Sequence, residues 1–190
     1  MKINYKYIEH ERTEDAPFVG ALISAVDCKF KCKGCFNRDV KKMHTLKREA
    51  KDIIAEVKEN PINEGIILAG LEWSLQPLEL LDLVKEASAE GLKVMIYTGC
   101  ELSQFHQRLG IACADNVGMG GFINNGDDRV SNDVVYGFIG TQMLDYNIPS
   151  DYYIKCGQYD KDNLVADRVQ FGVTLASENQ VIYKIEKAVE

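Results

Sequence analysis

Between residues 18 and 109, short apolar runs alternate with segments of helical period, and this alternation restricts the chain more than any other feature. Phe18 to Val26 (FVGALISAV) is a run rich in β-formers. From Leu46 to Asn60, the apolar residues Ala50, Ile53, Ile54 and Val57 recur at helical spacing, and Pro61 closes the segment. Ile66 to Ala69, set between Gly65 and Gly70, predicts a second buried strand. A helix is predicted to open near Pro77, with Leu80, Leu81, Val84 and Ala87 on one face, and to stop at Gly91. Leu92 to Tyr97 (LKVMIY) predicts a third strand, and Glu101 to Leu109 a short helix. Strand, helix, strand, helix, strand at these intervals implies right-handed crossovers and a largely parallel sheet in an α/β fold.

In such sheets the functional loops leave the C-terminal ends of the strands. A cysteine-rich loop follows the first strand, Gly70-Leu71-Glu72 the second and Thr98-Gly99 the third. All three are expected on one rim.

The rest of the chain is less regular. Asp115 to Asp133 is rich in Gly, Asn and Asp and predicts a long surface loop. Its Gly118-Met119-Gly120-Gly121 lacks the lysine and hydroxyl of a phosphate loop. A helical stretch is expected around Phe138 to Asp145, with Met143 and Leu144 in the core. A strand follows at Tyr152 to Lys155 and another at Gln180 to Ile185. With 190 residues the chain reads as a single domain, 1–190, with a loop insertion at about 111–137.

The start, MKINYKYIEHERTED, is too polar for a secretory signal, and no stretch reaches the roughly 18 apolar residues of a membrane span. A cytoplasmic protein without a membrane partner is expected. A formal charge of −7 argues against a general nucleic-acid binder. The basic residues are nonetheless bunched: Lys29, Lys31, Lys33, Arg38, Lys41, Lys42, Lys47 and Arg48 share one stretch with only Asp39 and Glu49 opposing them.

That stretch holds three of the six cysteines. Residues 28 to 35 read CKFKCKGC, a C-x3-C-x2-C spacing formed by Cys28, Cys32 and Cys35. In a reducing compartment, clustered cysteines bind metal or do redox chemistry more often than they staple a fold. A closed zinc site wants four ligands, which His44, Cys100, Cys113 or Cys156 would have to complete. A [4Fe-4S] cube takes one thiolate per iron, so three thiolates leave one iron open, and an open metal position is where substrate chemistry occurs. Structural thiols are the third alternative. Spacing alone leaves the three open.

The motif resembles the signature of the radical S-adenosylmethionine (radical SAM) enzymes, where C-x3-C-x2-C directly follows a first β-strand. CKGCFN, Cys32 to Asn37, is similar to the CPGCYN segment of the anaerobic ribonucleoside-triphosphate reductase activating proteins; Gly34 precedes the third cysteine and Phe36 follows it. LAGLEWSLQP (Leu68 to Pro77) resembles their GGD/GGE segment, and IYTG (Ile96 to Gly99) their third strand end. KCGQYD (Lys155 to Asp160) and SENQVIYKI (Ser177 to Ile185) resemble their C-terminal islands. The chain departs from that pattern at Leu71, where the family has glycine, and at Trp73, where it has proline. The NNGDDR-containing stretch has no counterpart.

The resemblance implies a small, incomplete (βα) barrel of the radical SAM type. It implies that Cys28, Cys32 and Cys35 ligate a [4Fe-4S] cluster and that S-adenosyl-L-methionine takes the open iron. Gly34, Cys35 and Phe36 would line that cofactor, with Phe36 against its adenine. Gly70, Leu71 and Glu72 would hold its methionine amino group. The implied activity is an oxidoreductase that makes a glycyl radical on a large glycyl-radical enzyme, the anaerobic ribonucleotide reductase. Another glycyl-radical protein, or a small molecule, is the alternative target, and a non-catalytic zinc or cluster module the alternative class. The lysines suggest a face for an acidic flavodoxin- or ferredoxin-type electron donor, or a solvated basic loop.

The other residues that stand out have plainer readings. Glu72 is either a solvated carboxylate or a functional one, Trp73 is packing, and Cys100, Cys113 and Cys156 are small buried cysteines. His10 and His44 are expected on the surface. Asn179 and Gln180 either orient the last strand or meet a partner.

Overall fold

A computed structural model describes residues 1–109 and 151–185 in full, and between them the backbone of four strands. In chain order the elements are β1 (Lys2–Tyr5), β2 (Ile8–Arg12), β3 (Gly20–Ser24), β4 (Leu46–Glu49), α1 (Ala50–Glu59), β5 (Gly65–Ala69), α2 (Pro77–Ala89), β6 (Lys93–Tyr97) and α3 (Leu102–Arg108). There follow β7 (Ile111–Ala112), β8 (Phe122–Asn124), β9 (Tyr136–Ile139), β10 (Gln142–Asp145), β11 (Tyr152–Cys156), β12 (Val169–Gln170), β13 (Val173–Thr174) and β14 (Val181–Ile185).

The main sheet runs β2-β3-β5-β6-β11-β14-β8. Its centre is parallel: Ser24 pairs with Ala69, Leu68 with Ile96, and Tyr97 with Lys155. These registers bring the C-terminal ends of β3, β5, β6 and β11 side by side. The flanks are antiparallel, β2 on β3 at one edge, and β14 then β8 at the other.

Period two along each strand sorts side chains between two cores. Ala21, Ile23, Ile66, Leu68, Val94, Ile96, Ile154 and Cys156 face the helices. They meet Ile53, Ile54 and Val57 of α1 and Leu80, Leu81, Val84 and Ala87 of α2. Burying each large apolar side chain contributes on the order of 2 kcal/mol relative to leaving it in water. The other face carries Leu22, Ile67, Ala69, Met95 and Ile182, covered by Ala16 and Phe18 from the N-terminal side and Val173 and Leu175 from the C-terminal hairpin. Central strands buried on both faces explain why they read as unbroken apolar runs.

Several expectations need correction. The helix begins at Ala50, not Leu46, because Leu46–Glu49 pairs antiparallel with β1, Tyr5 opposite Leu46. The segment expected as a helix from Phe138 to Asp145 is instead two antiparallel strands, with Ile139 opposite Gln142. The intervening Gly140-Thr141 is the Gly-X pair that two-residue hairpins favour, a signal stronger than the apolar spacing. The side chains of Met143 and Leu144 lie outside the described residues. The stretch read as a long loop contains β8, which pairs with β14 through Asn124 and Tyr183 and extends the sheet. Gly118 to Gly121 lie outside the described residues. His10 is half-buried rather than free on the surface: its ring Nδ1 is 2.8 Å from Asn63 Nδ2 and its Nε2 is 3.6 Å from Glu56. His44 is exposed.

Candidate functional site

The cysteine loop leaves β3 and is fastened to the rim before its first thiol. Ala25 N–H donates to Ala69 O at 3.3 Å, Val26 N–H to Gln76 Oε1 at 2.8 Å, and Glu72 N–H to Asp27 O at 2.9 Å. Lys41 Nζ pairs with Asp27 at 2.9 Å and donates to the Cys28 carbonyl. The ammonium beside Asp27 holds its carboxyl below the ordinary range. Lys41 is itself steadied from below. The buried Lys6 ammonium donates to Met43 O at 2.7 Å, Thr45 Oγ1 at 3.0 Å and Lys41 O at 3.2 Å, pinning the segment that follows the loop.

Phe30, between the first two cysteines, wedges the loop against the third strand end. A Cβ on Gly99 would lie 2.6 Å from the Phe30 ring, so only glycine permits this contact. The Arg108 guanidinium lies over that ring, 5.3 Å from its centroid.

Glu72 joins the three strand ends. Its side chain is 2% exposed, and every hydrogen bond it makes is internal. One oxygen accepts the Thr98 hydroxyl at 2.8 Å and Ser74 N–H at 3.1 Å; the other accepts Gly99 N–H at 2.9 Å. Gly70 turns the chain before it at a φ of +78°, where an added Cβ would stand 2.3 Å from Ser24 Oγ. Leu71 is buried in the helix-side core, so the departure at this position is absorbed by packing. Trp73 is packing, as read from the sequence: it is fully buried and its indole donates to Ile23 O at 3.0 Å.

At the β11 end of the rim, the segment that follows this strand forms a second wall. Gly34 lies against Lys161 and Tyr159, the Phe36 and Tyr159 rings stand 5.0 Å apart, and Lys33 pairs with Asp162 at 3.0 Å. Phe36 is otherwise open, 81% exposed. Lys42 pairs with Asp39 at 2.6 Å and Arg48 with Glu56. Much of the basic stretch thus carries its own acidic partners.

The three loop cysteines are free thiols of intermediate exposure. Burial pushes the Cys28 and Cys32 thiols up, and for Cys32 the neighbouring Cys35 adds to the shift. Cys100 and Cys156 are also free but buried on the helix side, where desolvation raises the Cys156 thiol far above its usual value. Cys113 lies outside the described residues. Among the described residues no three Cys, His, Asp or Glu side chains are gathered tightly enough to grip one metal ion. A cube makes a different demand, since each iron takes its own thiolate and the sulfurs stand apart around it. Three accessible thiols on one anchored loop fit that demand.

Residues 19–132, more than half of the chain, match the family model described as a 4Fe-4S single cluster domain. The chain belongs to that family. A 4Fe-4S cluster-binding domain therefore begins at the strand preceding the cysteine loop and takes in all three strand ends of the rim. No curated protein matches the chain. Among the described residues no helix is long and apolar enough to cross a membrane.

Sequence reasoning placed the loops of this iron–sulfur domain on one rim, and the structure does bring them together. It missed Phe30, hidden as an unassigned residue inside the motif, and Thr98 as a partner of Glu72. It also missed Lys155, on the opposite face of the sheet. That side chain is 8% exposed, with its ammonium 4.9 Å from the Tyr97 ring centroid and its pKa lowered to about 8 by burial. The only signal for Lys155 was its place at the end of an apolar strand.

Proposed function

We propose that the chain is a radical SAM activating enzyme, with Cys28, Cys32 and Cys35 as the ligands of its [4Fe-4S] cluster. The observation that carries this reading is the placement of three free, accessible thiols on one loop at the C-terminal end of the first parallel strand. That loop is tied through Glu72 to the ends of the next two strands. When bound and reduced, the cluster supplies the electron that splits the sulfonium of S-adenosylmethionine into methionine and a 5′-deoxyadenosyl radical. Four parallel strands with helices on one face support reading the sheet as a small, incomplete (βα) barrel.

The protein's own part is binding and orientation. The Gly70-Leu71 turn presents backbone beside the cysteine loop, where the methionine amino group needs hydrogen-bond acceptors. Glu72 holds that turn rigid. Lys155 is a buried cation at the same rim, and among the described residues no carboxylate lies within ion-pair distance of it. The methionine carboxylate would satisfy it. Phe36, exposed beside Cys35, offers a ring for the adenine. The radical's target is a glycine of a large glycyl-radical enzyme, the anaerobic ribonucleotide reductase; the CKGCFN and SENQ segments support that choice. A flavodoxin- or ferredoxin-type protein is the electron donor.

Anaerobic reconstitution with iron and sulfide tests the reading. The expected result is a brown protein that forms 5′-deoxyadenosine from S-adenosylmethionine when reduced, with both properties lost in Cys32→Ala. A colourless protein holding stoichiometric zinc would sink it. Mixing the active protein with the reductase should yield the doublet signal of a glycyl radical; 5′-deoxyadenosine without that signal would move the target to another protein or a small molecule.

A further inference from the structure

Gln158 stands at the cysteine loop, and the proposed ligand set leaves it without a task. Its Oε1 lies 3.8 Å from Cys32 Sγ, the one side-chain contact described for that sulfur. The backbone under Gln158 is held from the C-terminal turn. Asn179 Nδ2 donates to Gln158 O at 3.0 Å, Gln180 Nε2 to Gly157 O at 3.5 Å, and Asp160 N–H to Ser177 Oγ at 2.8 Å. Gln180 is buried, and its Oε1 accepts Ala176 N–H at 3.0 Å and Ser177 N–H at 3.3 Å. One short turn therefore holds the backbone of residues 157, 158 and 160, and with it the place of Gln158 at the loop.

The amide end of Gln158 has two faces. A Cys32 thiol donates to Oε1. A sulfur bound to iron has no proton to give and can only accept, which the same amide meets by turning Nε2 toward it. Hydrogen bonds to cluster sulfurs stabilise the reduced state, because reduction adds negative charge that spreads onto the sulfurs.

We propose that Gln158 donates its side-chain N–H to the iron-bound Cys32 sulfur and thereby raises the reduction potential of the cluster. Asn179 and Gln180 are positioning residues that hold Gln158 in place. This rests on the reading of Cys32 as a cluster ligand.

The test reconstitutes the full chain as wild type, Gln158→Leu, Gln158→Glu, Asn179→Ala and Cys32→Ala. It measures iron content, midpoint potential in a dye-mediated titration, and the rate of iron loss to a chelator. Gln158 is exposed, so its variants should fold, and Glu keeps its shape. The expected result is a full cluster in all but Cys32→Ala. The midpoint should shift negative in Gln158→Leu, further negative in Gln158→Glu, and partway in Asn179→Ala, with iron lost several-fold faster from Gln158→Leu. Wild-type potentials in both Gln158 variants would overturn the proposal while leaving the cluster assignment intact. Wild-type iron content in Cys32→Ala would instead overturn the cluster assignment on which it rests.

Discussion

Glu72 Oε2 accepts the backbone N–H of Gly99 at 2.9 Å, so a carboxylate from the end of β5 is bonded to the end of β6. The same residue's N–H reaches Asp27, at the head of the cysteine loop. One buried side chain and its own peptide thus register all three loops of the rim. A carboxylate accepting three donors away from water is worth more than the same bonds at the surface.

Glu72→Gln should destabilise the fold by about 3 kcal/mol, since an amide donor then faces the Gly99 N–H and one bond becomes a clash of donors. Chemical denaturation of the apo-protein measures this. Cluster uptake should fall in parallel, because the turn whose backbone N–H holds the Asp27 carbonyl is loosened. An unchanged denaturation midpoint would contradict the role given to Glu72.

Gly70→Ala meets two obstacles, a φ of +78° and a Cβ 2.3 Å from Ser24 Oγ. The expected cost is about 2–4 kcal/mol. Adding Ser24→Gly should recover part of it by removing the clash while the backbone strain stays. No recovery in the double variant would mean that the contact with Ser24 is not what limits the turn.

Cys100→Ala and Cys156→Ala should each cost about 1 kcal/mol from the small cavity left behind. Iron and sulfide per chain after reconstitution should match the wild type, because both thiols face the helix-side core rather than the loop. Loss of the cluster in either variant would point to a fourth thiolate and a closed site.

His106 is buried on α3, and burial lowers its pKa to about 4 from an ordinary 6.5. Above pH 6.5 both folded and unfolded chains carry it neutral, and it contributes no slope. As pH falls from 6.5 to 4, the unfolded chain takes up the proton first, so stability should drop by about 3 kcal/mol across that window. His106→Asn should flatten that part of the stability-against-pH curve. An identical slope in the variant would assign the acid sensitivity elsewhere.

The fold was legible where one period dominated. Ala50, Ile53, Ile54 and Val57 mark α1 and its buried face, and the runs at Ile66–Ala69 and Lys93–Tyr97 mark central strands. Legibility failed where pairing with a distant segment outweighed the local pattern. Leu46–Glu49 became a strand because β1 lies beside it, and Phe122–Asn124 because β14 does. Within the site, the sequence by itself determined the chemistry on offer: three thiols at C-x3-C-x2-C on a loop after a first strand, with Gly70-Leu71-Glu72 and Thr98-Gly99 at the next two strand ends. Only the tertiary structure decided what each neighbour does with it. Parallel register set Glu72 against Gly99, close approach put Phe30 on Gly99, and the return of the chain after β11 brought Gln158 to Cys32. The physical reason is that donor type is local to a residue, whereas burial and partner depend on contacts made across 27 to 126 positions of sequence.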